Sequence, residues 1–409
     1  MLRRKKSPGQ DQRAFGESMK IKFSRNFRQF KPFLFEELYR QAAAERAKGR
    51  DIISLAVGDP DIPTDRGIVA RAAAEVKKAA NHRYPNTKGN AALRKAVADW
   101  HKRRHGLVFH PSDEVSILIG SKEGIAHLPL AVMDPGDLCL IPDPTYPTYR
   151  TGVVLAGGRV HDVALEEKNG FLPDLAKIPS RVADKAKLFF LNYPNNPTGA
   201  DASLDFYKEL VRWAKKHSVI IAQDAAYCDL YFGEPAPSIL QVPGAREAAV
   251  EFYSVSKTYC MAGWRIGWVV GNGELVRAIN SLKENIDSGP FNAIQNAAAW
   301  GLDHHERIVP PVRKKFAARA EKFCSGLEKA GWRLRRPGGS CFVWARPPAD
   351  MKSIDSVCLM LEKAAVLAAP GSGFGRCGEG YVRFSLTEPD SRLYEALRRI
   401  TALDWKAGS

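Results

Sequence analysis

The sequence predicts an α/β fold, in which a large domain built on a mostly parallel sheet covered by helices is followed by a smaller α+β domain. Three observations carry that prediction. The chain has 409 residues, more than a single small core organises, so a large domain plus a smaller one is expected. Short apolar runs alternate with segments of helical period from Val115 to Asn285, the pattern of parallel strands joined by helices that cover both faces of a sheet. From about Pro310 the pattern changes to one long charged amphipathic segment and then short strands around a Gly-rich turn, which reads as a separate α+β unit.

In chain order, a helix is expected over Leu34 to Lys48, followed by a short strand in Asp51 to Val57 that ends in the turn Gly58-Asp59-Pro60. Strands are expected at Val115 to Ile119, Leu138 to Ile141, Leu188 to Leu191, Val219 to Ala222, Val250 to Tyr253 and Ile266 to Val270. Helices follow from Ser121, over Leu204 to Lys216 and over Leu275 to Asn285, and the late strands fall at Cys341 to Trp344 and Tyr381 to Ser385. The expected division is a disordered basic extension over residues 1–20, a segment over 21–64 that packs with the small domain, a large domain over 65–305 and a small domain over 306–409.

Hydrophobic residues make up 45% of the chain and charged residues 26%, a globular balance, and no apolar run is long enough to span a bilayer. Lys and Arg outnumber Asp and Glu by 61 to 45. That excess is spread over the chain and lacks the aromatic-interleaved basic strand of a nucleic-acid binder, so neither nucleic acid nor membrane is expected as a partner. The seven cysteines form no C-x-x-C pair, which argues against a zinc site or disulfide framework and for a reducing, cytoplasmic setting. No metal is expected.

The chemistry centres on Lys257, in Ser254-Val255-Ser256-Lys257-Thr258. A lysine on a turn after an apolar strand, flanked by small hydroxyls and followed by Arg265, suits an amine that forms a Schiff base beside a bound phosphate, which points to pyridoxal 5'-phosphate. Such a cofactor also needs an acid for its ring nitrogen and a phosphate cradle. Asp224 closes the apolar strand before it, where a buried carboxylate is costly unless paired with a cation such as a pyridinium. Tyr227, three residues on, can reach the cofactor's O3' oxygen, as can the amide of Asn196 in the Pro/Gly-fixed turn Asn192 to Gly199. The turn Gly120-Ser121-Lys122 opens a helix, so the free N–H groups of Ser121 and Lys122 can hold a phosphate, with Ser254, Ser256 and the fork of Arg265 completing the cradle. Tyr146 can stack on the ring, and Arg383, alternating with apolar neighbours in a late strand, suits bidentate recognition of a carboxylate. Taken singly, the Gly120 turn, the Asn196 turn and Arg383 also suit an ordinary helix cap, a structural turn and a surface arginine.

Together and in this order, the motifs resemble the class I/II aminotransferases of the aspartate aminotransferase fold type, from about residue 30 to 405. The resemblance implies the pyridoxal-phosphate-dependent transferase fold type I, with Lys257 as the Schiff-base lysine, Asp224 as the pyridinium partner and Asn196 and Tyr227 as O3' ligands. It assigns Ser121, Ser254 and Arg265 to the phosphate, Tyr146 to the ring and Arg383 to the substrate carboxylate, with Gly58, Lys122 and Asn196 also lining the substrate. Tyr84 matches a tyrosine that reaches the neighbouring subunit's phosphate, implying a homodimer with shared active sites. Several phrases are similar to those of LL-diaminopimelate aminotransferases: Gly58 to Thr64, Gly120 to Leu130, Asn169 to Leu175 and Asn285 to Gly289. The implied reaction is ping-pong transfer of an amino group between an L-amino acid and a 2-oxo acid, with 2-oxoglutarate as acceptor. Thr87 and Lys88, where those enzymes carry an acid, and Cys260, in place of an asparagine, depart from the pattern. Alanine or broad-specificity aminotransferases share much of the wording and are the alternative.

Overall fold

The computed structural model describes residues 21–30 and 35–405; the expected extension over 1–20 lies outside them. The chain enters through α1 (Phe35–Ala47), the strand β1 (Ile53–Ser54), α2 (Arg66–Val76) and α3 (Ala91–His105). Strand and helix then alternate through β2 (Val115–Leu118), α4 (Ser121–Val132), β3 (Leu138–Asp143), α5 (Thr148–Leu155), β4 (Arg159–Ala164), α6 (Ser180–Ala183), β5 (Ala186–Asn192), α7 (Leu204–His217) and β6 (Ile220–Asp224). Next come β7 (Ala249–Ser254), the single turn α8 (Val255–Thr258), β8 (Gly267–Gly271), α9 (Gly273–Ile286) and α10 (Asn292–Asp303). The rest is α11 (His305–Lys329), β9 (Arg333–Leu334), β10 (Phe342–Arg346), α12 (Ser353–Leu359), β11 (Val366–Leu367), β12 (Ala369–Pro370), β13 (Val382–Ser385) and α13 (Asp390–Thr401).

Seven strands form one sheet in the order β2-β8-β7-β6-β5-β3-β4. From β7 through β6, β5 and β3 to β4 the pairings are parallel, whereas β8 runs antiparallel to both its neighbours. The inner strands are buried throughout, as in Leu188 to Asn192 and Ala249 to Ser254, because helices cover both faces and leave no solvent side for polar alternation. A second sheet, β12-β13-β10-β9, is antiparallel, and β1 pairs in parallel with β11. Segregated antiparallel strands with flanking helices are the α+β arrangement expected for the later part of the chain.

Two expectations need correction. The long helix begins at His305, so Pro310 and Pro311 lie inside it; each lacks an N–H, but both fall near the start, where the missing bonds are to Glu306 and Arg307. The strand in 51–57 is only Ile53–Ser54, and beyond it the chain runs on as an extended strap. Its carbonyl oxygens are taken in sequence: Leu55 by the N–H of Ser385, Ala56 by the Arg383 guanidinium, Val57 by the Thr387 hydroxyl and Gly58 by the Lys257 ammonium.

Arg319 of α11 latches this strap. Its guanidinium, 1% exposed, grips Asp61 with two bonds of 2.6 and 2.9 Å, and also donates to Asp390 at 2.7 Å and to the Leu386 carbonyl at 2.9 Å. Removing the buried guanidinium leaves Asp61, largely buried, without its cation, while Asp390, half exposed, keeps solvent. Arg319→Met is therefore expected to cost about 3 kcal/mol, read as a lower urea midpoint at unchanged slope; an unshifted midpoint would show that the latch carries no stability.

Candidate active site

The carboxyl ends of β2, β3, β5, β6 and β7 converge on one cavity, the position in which an open α/β sheet binds its ligands. Its walls include Ser121, Lys122, Tyr146, Asn192, Asn196, Asp224, Tyr227, Ser254, Ser256, Lys257 and Arg265. The fold thus gathers residues spread widely over the sequence. Two expected positions border the cavity through a neighbour: Gly58 accepts a hydrogen bond from the Lys257 amine, and Arg383 donates to Asn196 Oδ1 at 2.8 Å. Tyr84 is not among the walls and stands 91% exposed.

Lys257 sits in α8, where the Ser254 hydroxyl caps the turn by accepting from the Ser256 N–H at 3.1 Å. Burial lowers its ammonium's pKa by more than the nearby Cys341 and Asp59 raise it, and the charges of Arg383 and Arg265 act in the same sense as burial. Asp224, 5% exposed at the end of β6, accepts from the Tyr149 hydroxyl at 2.9 Å and from the Ala226 N–H at 3.1 Å. Burial outweighs those bonds and pushes its pKa up to about 6.

Arg265 has a left-handed backbone, φ 57°, and donates to the Ala262 carbonyl at 2.8 Å. That pose lays its guanidinium over Gly120, where a Cβ would stand 2.3 Å from Nη2. Gly120, itself at φ 71°, is the residue that lets the fork lie beside the N–H groups opening α4. At Asn196, the bond from Arg383 fixes Oδ1 as an acceptor, so the side-chain NH₂ is left to face the cavity. The Arg383 guanidinium is itself clamped between the rings of Phe342 and Phe374, 4.2 and 4.6 Å from their centroids, with its Nε buried and unpartnered.

Sequence reasoning does not single out Tyr149, Asn192 or the strap carbonyls. Asn192 bonds the Asp224 carbonyl at 2.7 Å and accepts the Asn196 N–H at 2.7 Å, and its signal is its place in the same motif as Asn196. Tyr149 lies 75 positions from Asp224, and only its place three residues after Tyr146, at the start of α5, hints at it.

The wall thus combines a lysine of lowered pKa, a buried carboxylate that no cation pairs among the described residues, and an arginine beside a helix start, groups suited to an anionic ligand that also carries a basic group. Comparison with known proteins gives the family. The model of the class I and II aminotransferases matches residues 50–400. The LL-diaminopimelate aminotransferase of Aquifex aeolicus is 48% identical over 94% of this chain and 99% of its own length; that of Desulforudis audaxviator is 47% identical over 92% and 96%. Among solved structures, substrate-bound BacF from Bacillus subtilis superposes with a TM-score of 0.88 at 35% identity over 94% of this chain and 98% of its own. An aspartate aminotransferase double mutant of Thermus thermophilus gives 0.88 at 27% identity over 93% and 99%. The chain belongs to the class I and II aminotransferases, and it is an enzyme of amino-group transfer.

The charge state of Asp224 is testable in cofactor-free protein. Its folded pKa, about 6, lies above its ordinary value of 3.8, so the folded state binds more protons between those values and the residue's contribution to stability falls as pH rises through that window. Asp224→Asn should therefore raise the melting temperature of the cofactor-free protein more at pH 8 than at pH 4. An equal gain at both would mean that Asp224 titrates normally.

Proposed function

We propose that the cavity binds pyridoxal 5'-phosphate and that the enzyme transfers an amino group from LL-diaminopimelate to 2-oxoglutarate. The observation that carries the cofactor reading is Asp224: a buried carboxylate facing the cavity, with no cation paired to it among the described residues, fits the protonated ring nitrogen of that cofactor. The rest of the wall agrees. Ser121, Lys122, Ser254, Ser256 and Arg265 would hold the phosphate, Asn196 and Tyr227 the O3' oxygen, and Tyr146 the ring face. The bound cofactor supplies an electron sink for charge developing at the substrate Cα.

The chain's own groups do the rest. Arg383, pre-oriented by two aromatic rings, would take the substrate's α-carboxylate through its fork. Lys257, whose lowered pKa leaves more of its amine unprotonated near neutrality, would take the Cα proton and deliver it again in forming the product. Asp224 would hold the ring-nitrogen proton throughout, and Tyr149 would keep its carboxylate aimed. The second half of the ping-pong cycle uses the same groups in reverse with the 2-oxo acid.

The amino donor is inferred from the relatives, whose match runs nearly full length, and from the loop after Tyr84. LL-diaminopimelate carries an ammonium and a carboxylate at its far end. Lys88 stands in that loop, and Thr87 bonds Glu284 of α9 at 3.3 Å, so both signs of charge are present there. We further propose a homodimer in which the exposed Tyr84 and this loop complete the partner subunit's site.

Lys257→Ala should still bind the cofactor but lose turnover by about six orders of magnitude, the scale of losing the reacting amine; steady-state activity within tenfold of the parent would refute its role. In single-turnover spectroscopy, LL-diaminopimelate and glutamate should convert the holoenzyme to its pyridoxamine phosphate form rapidly. Rapid conversion by alanine and none by LL-diaminopimelate would make it an alanine aminotransferase.

A further inference from the structure

Two residues outside the cavity wall, Glu123 and Asp287, meet around one buried cation. Lys283, on α9, is fully buried, and its ammonium donates to Glu123 Oε1 at 2.5 Å and to Asp287 Oδ1 at 3.0 Å. Glu123 belongs to the Gly120–Leu130 phrase and Asp287 to the Asn285–Gly289 phrase. His127, with Nδ1 3.5 Å from Glu123, completes a trio of potential metal ligands, but the ammonium already bridges two of the three. The cluster is held by a lysine in place of a metal ion.

Each carboxylate also holds a backbone turn. The second oxygen of Glu123 accepts the N–H of Ile119 at 2.5 Å, one residue before Gly120. Glu123 therefore fixes the turn in which Gly120 makes room for Arg265 and from which the N–H groups of Ser121 and Lys122 project. Asp287 Oδ1 also accepts the N–H of Gly289 at 2.9 Å. A Cβ on Gly289 would lie 3.5 Å from the Asn86 carbonyl and 3.6 Å from that of Thr87, so this turn packs directly on the loop that carries Tyr84.

A fully buried ammonium is an expensive way to join two helices, since apolar packing of similar volume does so with less desolvation. Each partner of this one also holds, through a backbone N–H, a turn that leads to a phosphate-binding position: Glu123 from the first turn of α4 and Asp287 from the end of α9. We propose that Lys283 is a positioning residue for phosphate recognition, setting the Gly120–Lys122 turn through Glu123 and the Tyr84 loop through Asp287. In a homodimer, one ammonium would then align a phosphate contact in each of the two sites. This rests on the cofactor reading above.

The test compares two ligands that differ only in the phosphate. Cofactor-free enzyme is titrated with pyridoxal 5'-phosphate and with pyridoxal, for the parent, Lys283→Met and Asp287→Asn. The parent should prefer the phosphorylated compound. Lys283→Met should shrink that preference about tenfold, the worth of one misaligned charge-assisted hydrogen bond, while pyridoxal affinity stays the same. Should Lys283→Met fail to fold, Asp287→Asn, which leaves Lys283 paired with Glu123, carries the same expectation at about threefold. Equal weakening of both compounds, or an intact preference in the variants, overturns the inference alone. A parent that binds both compounds equally overturns the cofactor reading and the inference with it.

Discussion

Parallel strands deliver all their carboxyl ends to one edge, and nearly everything polar in this cavity hangs from that edge. Ser121 follows β2, Tyr146 follows β3, Asn192 and Asp224 end β5 and β6, and Ser254 ends β7. Each of these strands is buried on both faces, so its last residue is the first place where the chain can present a polar group to a ligand. The single antiparallel member, β8, enters from the other direction and brings Arg265 to the same edge by its amino end. A reversal of one strand thus adds a cation that a wholly parallel sheet would have placed at the far side.

The same constraint decides how much of the molecule is legible in its sequence. Runs such as Leu188 to Leu191 and Val250 to Tyr253 are apolar because both faces are covered, and the abrupt polar residue after each marks the cavity edge. Asp224 and Lys257 are readable because packing alone seldom places an acid or an amine at the close of such a run. β4 is not, because Arg159–Ala164 lies at the sheet's margin and mixes exposed and buried residues without an apolar run. Nor is the Tyr149–Asp224 bond, the strap or the Lys283 cluster, since each joins residues far apart and depends on how elements stack, which local pattern does not encode. Two prolines disguise the start of α11, because a pair of helix breakers looks like a boundary even where the residues before them are already helical.

The site also shows how burial and hydrogen bonding divide the work of tuning charge. Tyr149 and the Ala226 N–H favour ionised Asp224, yet burial outweighs both. At Lys257 the same desolvation acts in the opposite sense on a base, lowering its pKa. One buried cavity therefore shifts an acid up and an amine down, through the same desolvation acting on opposite charges.

The strap gives this arrangement a thermodynamic linkage. Ala56 and Gly58 offer their carbonyl oxygens to the two cations, Arg383 and Lys257, to which the proposed function gives the substrate carboxylate and the reacting amine. A ligand that draws either cation away competes with the strap for it, so occupancy of the cavity and seating of residues 55–61 share one free energy. Reciprocity then holds between them: whatever loosens the strap from outside strengthens ligand binding by the factor with which the ligand loosens the strap. Under that proposal Arg319, which holds the strap at Asp61, would set the resting balance of the competition without touching the ligand itself.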